Sequence, residues 1–194
     1  LVYEINTYKI KVNGLVQKKG TPYIKQSFTS KISSFVKNTR IVFPKMIAFC
    51  KQNTIELNGK PFIIYHTYDE ESGLAQISLC IPIKEAIITS EGSDILTDEL
   101  EPFLAIKTSL YGDYSHHKEA LKKSIGYINR NVITPDARFN HLEVYTISKS
   151  DSNKPSKWKT EIYFPVKQKK LRPQTVPKTE VIENTEAETS PSGI

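Results

Sequence analysis

The same order of elements occurs twice in this chain, and that duplication limits its fold more than any other feature. The first pass opens with Tyr8-Lys9-Ile10-Lys11-Val12, an alternation of polar and apolar residues that Asn13-Gly14 is expected to end. An extended piece from about Pro22 to Gln26 follows. Phe43, Ile47 and Cys50 then fall at helical spacing, with Met46 and Phe49 beside them and Pro44 expected in the first turn. Asn58-Gly59-Lys60-Pro61 reads as a turn, Phe62 to Tyr68 as a strand, Asp69 to Gly73 as a hairpin connection, and Ala75 to Ile83 as the returning strand. The second pass gives a strand from Phe103 to Ser109, a turn at Tyr111-Gly112-Asp113-Tyr114 and a helix over His116 to Asn131. Strands over His141 to Ile147 and Thr160 to Val166 close it, with a polar loop from Ser148 to Pro155 between them.

The two passes align by residue. Gln52-Asn53-Thr54 matches Arg130-Asn131-Val132, Ile63-Ile64-Tyr65 matches Glu143-Val144-Tyr145, and Ile81-Pro82-Ile83 matches Phe164-Pro165-Val166. A strand–helix–strand–strand unit alone leaves one apolar sheet face bare. Two units joined in one antiparallel sheet cover each other. The expected class is therefore α+β: duplicated βαββ units, two helices on one face and a ligand groove on the other. The domain is expected to span residues 1–168, with repeats over about 8–83 and 103–166. Residues 169–194 carry three prolines and a Thr/Glu/Ser-rich end, and they are expected to be disordered.

The halves differ in chemistry. Ile63, Ser78 and Cys80 correspond to Glu143, Glu161 and Tyr163, whereas Tyr145 has a counterpart in Tyr65. Alternation puts Glu143 and Tyr145 on one face of their strand, and Glu161 and Tyr163 on one face of theirs. A solvent-facing sheet with ordinary polar residues would account for the pattern, and so would a ligand site. The apolar neighbours Leu142, Val144 and Ile162 favour the site, because an unpaired buried carboxylate is costly. Aromatic faces and carboxylates together suit an organic cation.

Several other functions find little support. The net charge is +6, but the basic residues are scattered, and the densest run, Lys167, Lys169, Lys170 and Arg172, borders the tail. A nucleic-acid surface needs clustering, so no nucleic-acid contact is expected of this domain. His116-His117 with Glu119 makes a poor metal set, because adjacent helical histidines diverge, while His66 and His141 stand alone; no metal or cofactor is expected. Cys50 and Cys80 sit among apolar neighbours and read as buried free thiols, which fits a reducing compartment and a cytoplasmic location. No stretch is apolar enough to span a membrane. The chain opens at Leu1-Val2-Tyr3 without a methionine, which reads as a trimmed or matured product, with a preceding membrane tether as the alternative location.

One set of motifs is similar to a known family. Leu110-Tyr111-Gly112-Asp113-Tyr114, a helix, Glu143-Val144-Tyr145 and Trp158-Lys159-Thr160-Glu161-Ile162-Tyr163-Phe164-Pro165-Val166 resemble the gyrase-inhibitor-like (GyrI-like) small-molecule-binding domain. This module is the effector-binding domain of AraC-type and multidrug-sensing transcription regulators. Gly59 to His66 and Ile81-Pro82-Ile83 fit it too, so the likeness covers about Tyr8 to Val166. It implies a pseudo-twofold βαββ duplication and a groove for bulky, aromatic or cationic molecules with a glutamate at its floor. Glu143 matches that position, with Glu161, Tyr145, Tyr163, Tyr65 and Trp158 among the residues expected around it. Tyr111 and Tyr114 either reach the groove or pack their turn. The expected function is stand-alone binding of such a molecule. The alternatives are hydrolysis of cyclopropane-type electrophiles with Glu143 or Glu161 as general base, and effector sensing in a regulator. The sequence departs from the family in its long first-half segment, Ser27 to Arg40, expected to reshape one end of the groove.

Overall fold

Eight strands form one antiparallel sheet in the computed structural model, which describes residues 2–168. The expected disordered tail lies outside the described residues. In chain order the elements are α1 (Val2–Asn6), β1 (Lys9–Lys18), β2 (Thr21–Lys31), α2 (Phe35–Gln52), β3 (Phe62–Asp69), β4 (Leu74–Pro82), β5 (Leu96–Leu100), β6 (Phe103–Tyr111), α3 (His117–Arg130), β7 (His141–Ile147) and β8 (Lys159–Pro165). The strands lie side by side as β1-β6-β8-β7-β3-β4-β2-β5.

That order is its own mirror when β1 trades with β5, β2 with β6, β3 with β7 and β4 with β8. A pseudo-twofold axis therefore runs between β3 and β7. There Ile63 pairs with Glu143, its own counterpart in the repeat. The symmetry extends to defects. Register shifts fall between Tyr65 and Thr67 and between Tyr145 and Ile147. Both long helices end alike: the Asn53 and Asn131 side chains donate to the Phe49 and Tyr127 carbonyls, and Thr54 and Val132 take φ of 56 and 50. The Ile55 and Ile133 amides then donate to the Cys50 and Ile128 carbonyls. A left-handed turn costs a β-branched residue about 1–2 kcal/mol, and asparagine much less. Val132 is 81% exposed and loses no packing on exchange. Val132→Asn is expected to raise stability by about 0.5–1 kcal/mol in urea denaturation.

The repeat unit is larger than expected. β5 was not foreseen, and it pairs with β2 of the first half, while β1 pairs with β6 of the second. Each half thus lends an edge strand to the other. Asn13-Gly14 does not end β1. The strand bulges between Val12 and Gly14, where glycine takes φ +94, and continues to Lys18. The long segment Ser27 to Arg40 is the end of β2, a single 3-10 turn over Ile32–Ser34 and the start of α2. Pro44 accordingly lies inside α2, not in its first turn. Its ring is on the exposed side, so the Arg40 carbonyl it leaves unpaired can meet water.

Alternation decides which side chains meet. On the helix face, Ile63, Tyr65, Ile77, Leu79, Ile81 and Tyr145 pack with Met46 and Cys50 of α2. Beside them Ile106, Leu110, Ile162 and Phe164 pack with Ala120, Leu121 and Ile128 of α3. The other face carries its own apolar cluster, including Tyr23, Phe62, Ile64, Cys80, Phe103, Leu142 and Tyr163. Both cysteines are buried and unpaired, as expected. No helix among the described residues is long and apolar enough to cross a membrane.

Candidate functional site

Glu143 pairs with Ile63 on one side and Ile162 on the other. Directly paired residues share a face, and both neighbours belong to the helix-facing core. The carboxylate therefore points between the two helices, not into a groove on the opposite face. It is 1% exposed. His141, Glu143 and Tyr145 alternate along β7 onto the same side. α3 begins at His117, which reaches the carboxylate from above the sheet.

The contacts are complete. Glu143 Oε1 faces His117 Nε2 at very short range and His141 Nε2 at 3.0 Å, and Oε2 accepts from the Tyr145 hydroxyl at 2.7 Å. His141 Nδ1 lies 2.6 Å from Asn140 Oδ1. Burial opposes the Glu143 charge, but the two imidazoles outweigh it and hold the carboxyl well below its usual range. Burial also opposes a charge on His117, and the carboxylate reverses that, raising the imidazole pKa. For His141 burial prevails and the pKa falls. Burial, together with the Glu143 charge, keeps the Tyr65 and Tyr145 phenols protonated.

Rings surround this carboxylate. Tyr65 stacks on His141 across the pseudo-twofold at 4.3 Å between centroids, and Phe164 stacks on its other side at 5.2 Å. Phe35 and Tyr114 each meet Tyr145 at 5.9 Å, and Tyr114 stacks on Trp158 at 4.8 Å. Tyr68 meets His141 edge-on. Tyr68, Asn140 and Phe164 also line an open cleft of about 560 Å³ along α3, with Ile125, Ile128 and Pro135.

The expected set thus divides. Glu143, Tyr145, Tyr65, Tyr114 and Trp158 come together. Glu161, Tyr163 and Tyr111 do not join them, because Glu161 pairs with Val144 and Ser109 and so turns to the face without helices. Its Oε1 lies 3.0 Å from both Lys107 and Lys159, and its Oε2 accepts from Tyr163 at 2.8 Å. Lys159 also sits over the Tyr111 ring. Two ammonium groups already answer this carboxylate. Burial pushes against its charge, but Lys107, Tyr163 and Lys159 bring its pKa down to about 2. A depressed carboxylate contributes stability above its unfolded pKa and loses it as pH falls toward the folded value. Unfolding midpoints in wild type should therefore drop between about pH 4.5 and pH 2, and Glu161→Gln should flatten part of that drop.

His117 and His141 were missed. The reading that adjacent histidines diverge holds for the pair itself: His116 turns away and stacks on Tyr8 at 3.5 Å. His141 does not stand alone, since two residues along a strand is one step on the same face. That spacing from Glu143 was the available signal. His117 comes from a distant helix, and only the fold brings it in.

No protein family and no curated protein matches this sequence. Solved structures do. The C-terminal domain of EcmrR superposes with a TM-score of 0.69 at 18% identity, over 83% of this chain and 98% of that domain. In the EcmrR–DNA complex the TM-score is 0.70 at 17% identity, over 84% of this chain, which spans 58% of the EcmrR chain. SAV2435 bound to tetraphenylphosphonium matches with a TM-score of 0.52 at 14% identity, over 79% of this chain and 92% of that one. A hydrolase encoded by lin2189 from Listeria innocua gives 0.53 at 10% identity, over 82% and 92%. These likenesses show the fold, and it is the α+β fold of duplicated βαββ units expected from the sequence.

Proposed function

We propose that this chain binds a bulky small molecule bearing aromatic rings and positive charge, and that its charge is met by Glu143. One observation carries the reading. A buried carboxylate on the pseudo-twofold axis is ringed by aromatic side chains and neutralised by a partly exposed imidazole, His117. A carboxylate placed there without a cation would cost several kcal/mol. His117 fills that need from within the protein, and an entering organic cation would take its place. Tyr65, Tyr145, Tyr114 and Trp158, joined by Phe35 and Tyr68, supply faces worth about 0.5–2 kcal/mol each to a desolvated cation. The adjoining cleft is of a size that holds drug-like molecules. That SAV2435 is bound to tetraphenylphosphonium supports the choice of probe. The binding domain in this reading is residues 1–168, and two buried free thiols favour the cytoplasm.

Trp158 is the single tryptophan and stacks on Tyr114, so its fluorescence reports the site. Titration with tetraphenylphosphonium should quench or shift it with a saturating curve. His117→Asn removes the internal competitor and leaves a residue tolerated near a helix N-terminus. Its affinity for the same probe, measured with a chelator present, should rise about tenfold, or about 1.4 kcal/mol. Unchanged or weaker binding would mean that His117 does not stand in for the ligand.

The hydrolase reading asks Glu143 to act as a general base, which works best with a pKa near the working pH. The two imidazoles hold Glu143 far below that. Single-turnover assays on cyclopropane-type electrophiles that give product in wild type and none in Glu143→Gln would restore it.

A further inference from the structure

The ligand atoms of His117, His141 and Glu143 lie within 4.8 Å of one another. We infer that these three side chains form a binding site for a divalent transition-metal ion of the zinc type, with His117 Nε2, His141 Nε2 and a Glu143 oxygen as ligands. The inference does not rest on the organic-cation reading, for it needs only the three converging atoms.

The ligand set is apt. Two imidazoles and one carboxylate are a recurrent zinc set, and zinc takes nitrogen and oxygen at about 2.0–2.2 Å. Tetrahedral ligands around such an ion stand about 3.4 Å apart. His141 Nε2 and Glu143 Oε1 already lie 3.0 Å apart, so seating an ion asks for shifts of less than an ångström there. A magnesium- or calcium-type ion would want oxygen ligands throughout.

The surroundings point the same way. His141 Nδ1 is 2.6 Å from Asn140 Oδ1. An Nδ1 proton donated to that oxygen holds the ring with Nε2 toward the carboxylate, the orientation in which Nε2 can ligate a metal ion. Metal-bound histidines habitually donate their second N–H to such an oxygen. Tyr145 holds the other carboxylate oxygen through its hydroxyl, and Tyr65 and Phe164 clamp the His141 ring. His117 is the one ligand with an exposed edge, 20% of its side chain, and marks the way in. Three protein ligands leave zinc one position for water or a donor atom of a small molecule. Entry of the ion displaces protons from the imidazoles and neutralises Glu143, so metal and organic cation exclude each other.

All three ligands belong to the second half of the repeat. Their counterparts in the first half, Thr39, Pro61 and Ile63, hold no such set. The site is thus a property of the asymmetry, not of the duplicated scaffold.

The test is a calorimetric titration of the full chain with zinc chloride at neutral pH, with cobalt(II) absorption in parallel. One ion per chain with a dissociation constant of about 10 μM or tighter, and the strong visible bands of a tetrahedral cobalt site, are the expected results. His117→Asn should weaken zinc at least tenfold while tightening tetraphenylphosphonium, and Asn140→Ala should weaken zinc about tenfold through the His141 ring. Binding weaker than about 1 mM, or zinc affinity unchanged in both variants, would overturn the metal site. Tetraphenylphosphonium binding without zinc binding would sink this inference alone. Zinc binding without tetraphenylphosphonium binding would sink only the organic-cation reading.

Discussion

Glu143→Gln is expected to weaken tetraphenylphosphonium binding by about 10- to 100-fold, a loss of about 1.4–2.8 kcal/mol. The exchange is nearly isosteric, so the shape of the site survives. The amide oxygen can still accept from Tyr145 or His117. What disappears is the charge. In a water-poor, ring-lined place a carboxylate attracts a cation far more than it would in bulk solvent. His117 loses its partner at the same time and no longer competes, which offsets part of the loss. The aromatic walls remain and keep residual affinity. Calorimetry on both proteins at one pH and salt concentration checks the figure. Equal affinities would mean that the rings alone hold the ligand. The same exchange at Glu161 should leave binding within about twofold, because that carboxylate faces the other side and is occupied by Lys107 and Lys159.

The second large effect concerns the scaffold. Ile162→Ala is expected to cost about 2–5 kcal/mol of unfolding free energy. Ile162 is fully buried and lies beside Glu143 in the sheet, under α3. Truncation loses its transfer free energy and leaves a cavity that two strands and a helix cannot readily close. Ile88 is almost fully exposed, so Ile88→Ala should stay within about 0.5 kcal/mol. Urea denaturation of the pair separates them. Similar values would mean that β8 and α3 do not share the tight core described above.

Much of the fold was legible because its signals are local and repeated. The strand–helix–strand–strand order showed twice, and matched triplets such as Ile63-Ile64-Tyr65 and Glu143-Val144-Tyr145 fell on equivalent strands. The faces were harder. Period-2 alternation says that Glu143 and Tyr145 share a side, but not which side meets the helices. That depends on which apolar set α2 and α3 cover, and both faces here carry one. So Glu161 and Tyr163, rightly paired with each other, were assigned to the wrong neighbours. β5 was missed because five residues, Leu96–Leu100, give too short a pattern to read. Pro44 misled because proline favours first turns, and here tertiary packing extends α2 ahead of it. His141 could have been found by spacing, but its partnership with His117 exists only once α3 lies across β7.

If Glu143 meets the ligand's charge as proposed, the site selects charge as well as shape. Tetraphenylphosphonium and tetraphenylborate have nearly the same size and rings and opposite charge. Calorimetric titration of the full chain with each, under identical conditions, isolates the role of Glu143. Binding of the phosphonium at least tenfold tighter than the borate, with that preference abolished in Glu143→Gln, is the predicted result. Equal affinity for the two ions, or tighter binding of the borate, would contradict it.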